Sequence, residues 1–361
     1  MKLSDVVAVL EQIAPTQYAE PWDNVGLLVG DSAQGVDAVL VAIDATNAVI
    51  DEAARERCGL VVAYHPPIFK GLQRFVAGHP AFEAARRGIA VWSPHTALDV
   101  AVGGTNDVLA DAIGMTERRP LRASATKDAQ YKLVTFVPES ALDAVSRAVF
   151  EAGAGRIGQY SSCSFRSPGT GTFLGEEGTN PAVGESGKLE VAPEVKLETL
   201  VPIARVAAVI AAMRAAHPYE EPAFDLVRLA VPPDGPGIGR VGAVSGDRRA
   251  IVEALKRAVG VDVALVAGPL DGPARRAAVC AGAGDELLGD AIAERADLYV
   301  TGELRHHDAL RASARGVTVV ALRHSVSERC TLPRLVERLS RELGGVRVTQ
   351  SREDRDPFSV V

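Results

Sequence analysis

The sequence predicts an α/β protein: a discontinuous core of two halves with mostly parallel sheets, interrupted by a small α+β insert of ferredoxin-like type. Three observations predict it. Apolar runs of strand length alternate with helical patterns in the first and last thirds, that rhythm breaks in the middle, and a Pro/Gly-rich stretch closes the break. Of 361 residues, 47% are hydrophobic and 24% charged, which is ample for full cores and argues against disorder. At roughly 150 residues per domain, the length fits two or three domains.

The elements follow in order. Residues 4–14 carry Val6, Val7, Leu10 and Ile13 at helical spacing behind a Ser4 cap. Ala38–Ile43, Leu60–Ala63 and Ile89–Trp92 are strand-length apolar runs, separated by helical patterns at Ala48–Arg57 and Pro80–Arg87. Short strands apolar on both faces, lying between helices, indicate a mostly parallel sheet. The last third repeats the pattern, with strands at Ala277–Cys280, Leu298–Thr301, Val317–Ala321 and Val346–Thr349. Its helices fall at Glu286–Glu294, Asp308–Arg315 and Leu332–Leu343. In the middle, a strand at Tyr131–Val137 and a helix at Ser140–Ala152 precede residues 153–188, rich in Gly, Ser, Thr and Pro. An extended stretch at Val195–Leu200, a helix at Pro202–Ala216 and a strand at Phe224–Ala230 complete a ferredoxin-like order. Pro232–Gly237 makes a linker. The expected domains are therefore 1–125 and 238–361, folding together, and 128–232 as the insert.

Composition narrows the function classes. With 39 Lys+Arg against 46 Asp+Glu the net charge is −7, which disfavours nucleic acid or an anionic membrane as main partner. There is no 18-residue apolar run to span a bilayer and no secretory leader pattern at the start, so a cytoplasmic location is expected. Cys58, Cys163, Cys280 and Cys330 form no CxxC pair, which points to four reduced thiols, mostly buried.

The seven histidines carry the chemistry. Ligands bind at the carboxyl ends of strands in open α/β sheets. Four polar clusters stand there: Tyr64-His65-Pro66-Pro67, Ser93-Pro94-His95 through Asp99, Thr301-Gly302-Glu303 with His306-His307, and Leu322-Arg323-His324 through Glu328. One histidine beside a strand is most often a plain hydrogen-bonding residue. Four strand ends converging on imidazoles and carboxylates favour a metal site, and that donor set suits zinc, iron or manganese. The four-residue spacing of His324 and Glu328, and of His95 and Asp99, puts each pair on one helical face. Weaker features have ready structural explanations. Gly282-Ala283-Gly284 resembles a phosphate-cradling turn but lacks the third glycine and the Lys-Ser/Thr, so a tight turn is preferred. His217-Pro218-Tyr219-Glu220-Glu221-Pro222 is a dense polar-aromatic cluster in the insert, and a helix stop leading into the next strand explains it equally well.

These motifs resemble the NIF-three-like dinuclear-metal proteins, also called the GTP cyclohydrolase I type 2 family. The resemblance runs through Pro21 to Leu27, Asp44, Tyr64 to Phe69, Ser93 to Asp99 and Gly104-Thr105-Asn106-Asp107. It continues through His217 to Pro222, Gly237 to Gly242, Thr301 to Glu303 and His324 to Glu328. It implies His65, Asp99, His324 and Glu328 as ligands of one or two divalent metal ions, with Glu328 bridging. It also implies a homohexameric toroid whose sites face an internal cavity, capped by inserts similar to a small trimeric signalling-protein fold. The implied activity is metal-dependent hydrolysis of a purine nucleotide such as GTP. The metals would activate a water for attack on C8 of the guanine, and Glu303, His307 or His95 would shuttle protons. Two other readings stand beside it: a non-catalytic hexameric metal-binding adaptor, and a metal-dependent phosphoesterase. The chain departs from the family at two positions. Tyr64 stands where many members have a first histidine, and a phenol is a poor ligand unless ionised. Arg323 stands where Gly is usual, and would either hold a substrate phosphate or block part of the pocket.

Overall fold

The structure, a computed structural model, describes residues 1–123, 130–229 and 236–360. The chain forms two compact units, Met1–Ser124 with Pro232–Val361, and Ala125–Val231. The boundaries expected at 125, 128 and 232, Ala230 of the last insert strand, 232–235 of the linker and the final residue 361 lie outside the described residues.

The first unit begins with α1 (Leu3–Ile13), β1 (Gly26–Val29), β2 (Ala38–Asp44), α2 (Asn47–Arg55), β3 (Leu60–His65), α3 (Pro80–Arg86), β4 (Ala90–Ser93), α4 (His95–Val100), α5 (Thr105–Ala112) and β5 (Thr116–Ala123). The second unit supplies β6 (Gln130–Val137), α6 (Leu142–Glu151), β7 (Ser164–Leu174), β8 (Leu189–Pro202), α7 (Val206–Ala216) and β9 (Phe224–Arg228). The first unit resumes with β10 (Gly237–Asp247), α8 (Arg248–Val259), β11 (Leu265–Ala267), β12 (Pro273–Ala283) and α9 (Leu288–Ala293). It closes with β13 (Leu298–Glu303), α10 (His306–Ala314), β14 (Thr318–Ala321), α11 (His324–Arg329), α12 (Leu332–Glu342) and β15 (Arg347–Gln350).

Two sheets build the first unit. One has the order β1-β4-β3-β2-β15, with β15, β2, β3 and β4 parallel and β1 antiparallel at the edge. Six of the seven residues of β2 are buried, because successive side chains enter cores on opposite faces. Val39, Val41 and Ile43 pack with Leu3, Leu10, Leu335 and Leu339 of the flanking helices, while Leu40 and Ala42 pack with Val49, Ile50 and Ala84. The other sheet has the order β11-β14-β13-β12-β10-β5 and is mixed: β12, β13 and β14 are parallel, and the outer pairings are antiparallel.

The antiparallel β5 and β10 are not visible as apolar runs. β10 carries glycines where the β5 backbone passes close by: a Cβ on Gly237 would lie 2.4 Å from the Arg122 carbonyl oxygen, and one on Gly242 2.4 Å from that of Thr116. Of these, Gly237 falls in the stretch that reads as a linker. Ser4 lies inside α1, whose cap is Lys2, with the Asp5 carboxylate accepting the Lys2 N–H at 3.3 Å.

The second unit is a four-stranded antiparallel sheet of order β7-β8-β6-β9. Helices α6 and α7 pack on it through Val145, Val149, Val209 and Met213 against Leu133, Val137 and Leu197. β7 falls inside the Gly/Ser/Thr/Pro-rich stretch and is mostly exposed, so it shows no apolar alternation. Among the described residues, no helix is long and apolar enough to cross a membrane.

Candidate metal centre

The site forms in the first unit, where the parallel strands of its two sheets end. Asp44 and His65 are register partners at the ends of β2 and β3. His95 follows β4 as the first residue of α4, Glu303 ends β13, and His324 opens α11 after β14. One turn of α11 carries Glu328 back over His324.

Among the described residues, His65, His324 and Glu328 form a group whose ligand atoms lie within 4.8 Å of one another. The His65 Nε2 is 3.1 Å from Glu328 Oε2, and the His324 Nε2 is 3.2 Å from Glu328 Oε1. Each imidazole is braced from behind by another carboxylate: His65 Nδ1 is 2.9 Å from Asp44 Oδ1, and His324 Nδ1 is 3.0 Å from Glu303 Oε1. A carboxylate on the far nitrogen fixes the ring and leaves Nε2 to face a cation. The donor set fits a divalent metal on a further count. His65 Nε2 and Glu328 Oε2 are both buried and, though close, make no hydrogen bond with each other or with any other group.

Electrostatics agree with the geometry. Burial works against the Glu328 carboxylate, but His324 and His65 outweigh it and hold it below the usual carboxylate range. Burial pulls the His65 imidazole down, yet Asp44 and Glu328 carry it up to about 10, and Glu328 and Glu303 carry His324 up to about 9. These carboxylates make a strongly cation-seeking pocket, which a proton or a metal would satisfy.

Asp99 stands apart from this three-residue group. It is buried on α4, and the Tyr64 hydroxyl donates to its Oδ1 while standing 3.0 Å from Thr105 Oγ1. Burial pushes the Asp99 carboxyl up to about 7, and burial with the Asp99 and Glu328 charges holds the Tyr64 phenol well above its ordinary range. Tyr64 is thus held as a protonated phenol that donates to Asp99. His95 lies 5.5 Å from His65, ring centre to ring centre, with its Nδ1 2.7 Å from Asp23 Oδ1. Glu303 braces His324 and is exposed. His307 is exposed on α10, its ring 5.3 Å from that of His306, and no hydrogen bond or ion pair joins it to the group among the described residues.

The structural roles of several residues of the site escape sequence reasoning. A Cβ on Gly282 would come 2.9 Å from Glu328 Oε1, so this turn is glycine-bearing to make room for the carboxylate. Arg323 has φ +80° and ψ 149°, a conformation that glycine adopts freely and other residues rarely do. Its guanidinium turns to the C-terminal tail, 3.5 Å from Asp356 and 3.3 Å from the Phe358 carbonyl. Asp354 of the same tail accepts the Ile43 N–H at 2.8 Å, beside Asp44, and pairs with Arg329, beside Glu328. One buried carboxylate therefore ties β2, whose Asp44 braces His65, to α11, which carries His324 and Glu328. Its only sequence signal is a charged residue after the last strand.

Two other motifs prove structural. The buried Arg240 guanidinium bonds Asp107 at 3.0 and 2.9 Å and the carbonyls of Gly237, Gly239 and Ala101, joining the two halves of the first unit. In the insert, His217 Nε2 meets the Phe136 carbonyl at 3.0 Å and its Nδ1 accepts the Tyr219 N–H at 3.1 Å.

A model of the family Duf34/NIF3 (NGG1p interacting factor 3) matches residues 1–357. The GTP cyclohydrolase 1 type 2 homolog of Mycobacterium tuberculosis is 41% identical over 340 residues, covering 91% of this chain and 88% of that protein. The protein of the same name from Halalkalibacterium halodurans is 37% identical over 366 residues, covering 99% and 98%. Among solved structures, a Bacillus cereus protein related to NIF3 is 33% identical with a TM-score of 0.68, covering 100% of this chain and 99% of its own.

Proposed function

This chain belongs to the Duf34/NIF3 family, and from that premise we propose that it is a metal-dependent hydrolase acting on a purine nucleotide such as GTP. The observation that supports the reading most is the aim of two imidazole Nε2 atoms at the two oxygens of one buried carboxylate, Glu328. His65, His324 and Glu328 would hold the ion. A divalent metal there supplies a water that ionises near neutral pH and a Lewis acid for a substrate oxygen or nitrogen. Asp44 and Glu303, each facing an Nδ1, fix the two rings and direct both Nε2 atoms toward the ion, which would take the place of the proton that the carboxylates otherwise favour there. His95, fixed by Asp23, and the exposed Glu303 would take up and return protons at the edge of the group. His307 is left out of this machinery. Tyr64 and Asp99, at which the family resemblance implies a second metal, are hydrogen-bonded to each other, so the reading is of one firmly held metal per chain. Self-association into a hexamer, expected from the family resemblance, accompanies the proposal and is read by sedimentation.

The test is metal-replete protein, free of other cyclohydrolases, incubated with GTP and followed by mass spectrometry. Release of formate with a ring-opened purine product, lost in His324→Ala, supports the reading. Intact GTP throughout rejects it, and phosphate release in its place would identify a phosphoesterase.

A further inference from the structure

Beside the metal group stand two large aromatic side chains that the fold leaves in solvent. Trp22, before β1, is 60% exposed and Phe69, after β3, is 45% exposed. Their ring centres are 5.9 Å apart and tilted by 59°. Each is also about 6.1 Å from the His95 ring, at 75° for Trp22 and 79° for Phe69. His95 in turn is 5.5 Å from the metal-facing His65. All three contacts are edge-on or tilted, so no two rings of the trio stack face to face, and Trp22 keeps most of its surface in solvent.

The loops are held in place. The Asn24 side chain donates to the Ile68 carbonyl, joining the loop of Trp22 to the loop of Phe69. Asp23, between Trp22 and Asn24, is fixed by His95 and by the Thr96 N–H at 3.1 Å. Exposed aromatic rings normally cost solvation, and here they are fixed beside the groups that would perform the chemistry.

We propose that Trp22 and Phe69 form a stacking platform for the planar heteroaromatic base of the substrate, placing that base against His95 and the metal group. The inference rests on the nucleotide reading above and adds how the base would be recognised. Stacking of this kind tolerates any base and is worth roughly a tenfold change in affinity, or more, per ring.

The chain has two tryptophans, and the other, Trp92, is buried at 1% exposure, so fluorescence reports Trp22 against a steady background. The experiment titrates the metal-loaded full chain with GTP, with guanosine and with inorganic tripolyphosphate. It then repeats GTP binding by equilibrium dialysis on Trp22→Leu and Phe69→Ala. The expected result is quenching by GTP and guanosine but not by tripolyphosphate, no signal change in Trp22→Leu, and about tenfold weaker GTP binding in both variants. Metal content should be unchanged in both. Equal quenching by tripolyphosphate, wild-type GTP affinity in Trp22→Leu, or a change of oligomeric mass in that variant would overturn the platform; the last would make the rings a subunit contact. GTP hydrolysis with unaltered kcat/KM in Trp22→Leu rejects the platform and leaves the hydrolase reading standing. Ring-dependent quenching without hydrolysis does the reverse.

Discussion

His65 and His324 at the strand ends and His217 in the insert all lie in dense polar clusters, but their ring nitrogens are used differently. Both nitrogens of His217 are spent on backbone, the Phe136 carbonyl and the Tyr219 N–H. The first two residues spend one nitrogen on a bracing carboxylate and turn the other toward Glu328. A histidine whose two nitrogens meet backbone is a turn-former; one with a braced Nδ1 and an Nε2 turned to a buried carboxylate is built to receive something, and in His65 that Nε2 is buried without a hydrogen bond. The difference can be tested from both sides.

The largest effect should come from the shared carboxylate. Glu328→Gln keeps the shape and removes the charge both imidazoles face, so zinc or manganese affinity, read by competition with a chromophoric chelator, should fall more than 100-fold. That exceeds the roughly 10–100-fold cost of losing a bracing group. His217→Ala should leave metal affinity unchanged. Equal losses in the two variants would erase the distinction.

Asp354→Asn is expected to be the next largest, with metal affinity lowered roughly 10–100-fold, because the Asp354 carboxylate holds Ile43 next to Asp44 and Arg329 next to Glu328. Arg55→Ala, which removes only an exposed pair with Glu353 in the same tail, should have no effect on metal. Tyr64→His sharpens the comparison differently. It replaces the hydroxyl that occupies Asp99 with an imidazole, and elemental analysis should rise from one metal per chain toward two. If the wild-type chain already holds two, Tyr64 has not displaced the second.

How much of this was legible in the sequence follows from what each element buries. The parallel strands β2, β3 and β14 are buried on both faces and read as continuous apolar runs, so their ends, and His65 and His324 with them, could be located. β10 carries glycine where another backbone approaches and β7 is exposed along most of its length, so neither shows the pattern that apolar burial writes into a sequence. Single-residue signals mislead in the same way. Arg323 read as a charge aimed at the pocket, yet its guanidinium is engaged by Asp356 and the Phe358 carbonyl, over a distance of 33 residues or more in sequence that no local pattern encodes. Asp99 carried the expected helical spacing from His95, but spacing could not reveal that Tyr64 would take its oxygen.

The smallest expected effect concerns stability and pH. His217→Ala leaves the Phe136 carbonyl without its partner and should destabilise the insert by about 1–3 kcal/mol, seen as faster hydrogen exchange of the β6 amides. Burial pushes the His217 imidazole below its ordinary value, against the opposing pull of the Phe136 carbonyl. The folded insert therefore holds this residue neutral, while the unfolded chain takes up a proton near pH 6.5. As pH falls below about 6.5 the unfolded state binds more protons, so protection of β6 should decline toward pH 5. His217→Gln, which keeps a donor for the carbonyl but cannot titrate, should flatten that decline. The metal-free first unit should show the opposite sign. His65 and His324, raised to about 10 and about 9, contribute stability that is complete below pH 6.5 and is lost as pH climbs through 9 to 10. Exchange measured on β3 amides of metal-free protein, alongside β6, would show two pH dependences running in opposite directions. Parallel trends in the two units would mean that the two kinds of histidine are not held as differently as their hydrogen bonds indicate.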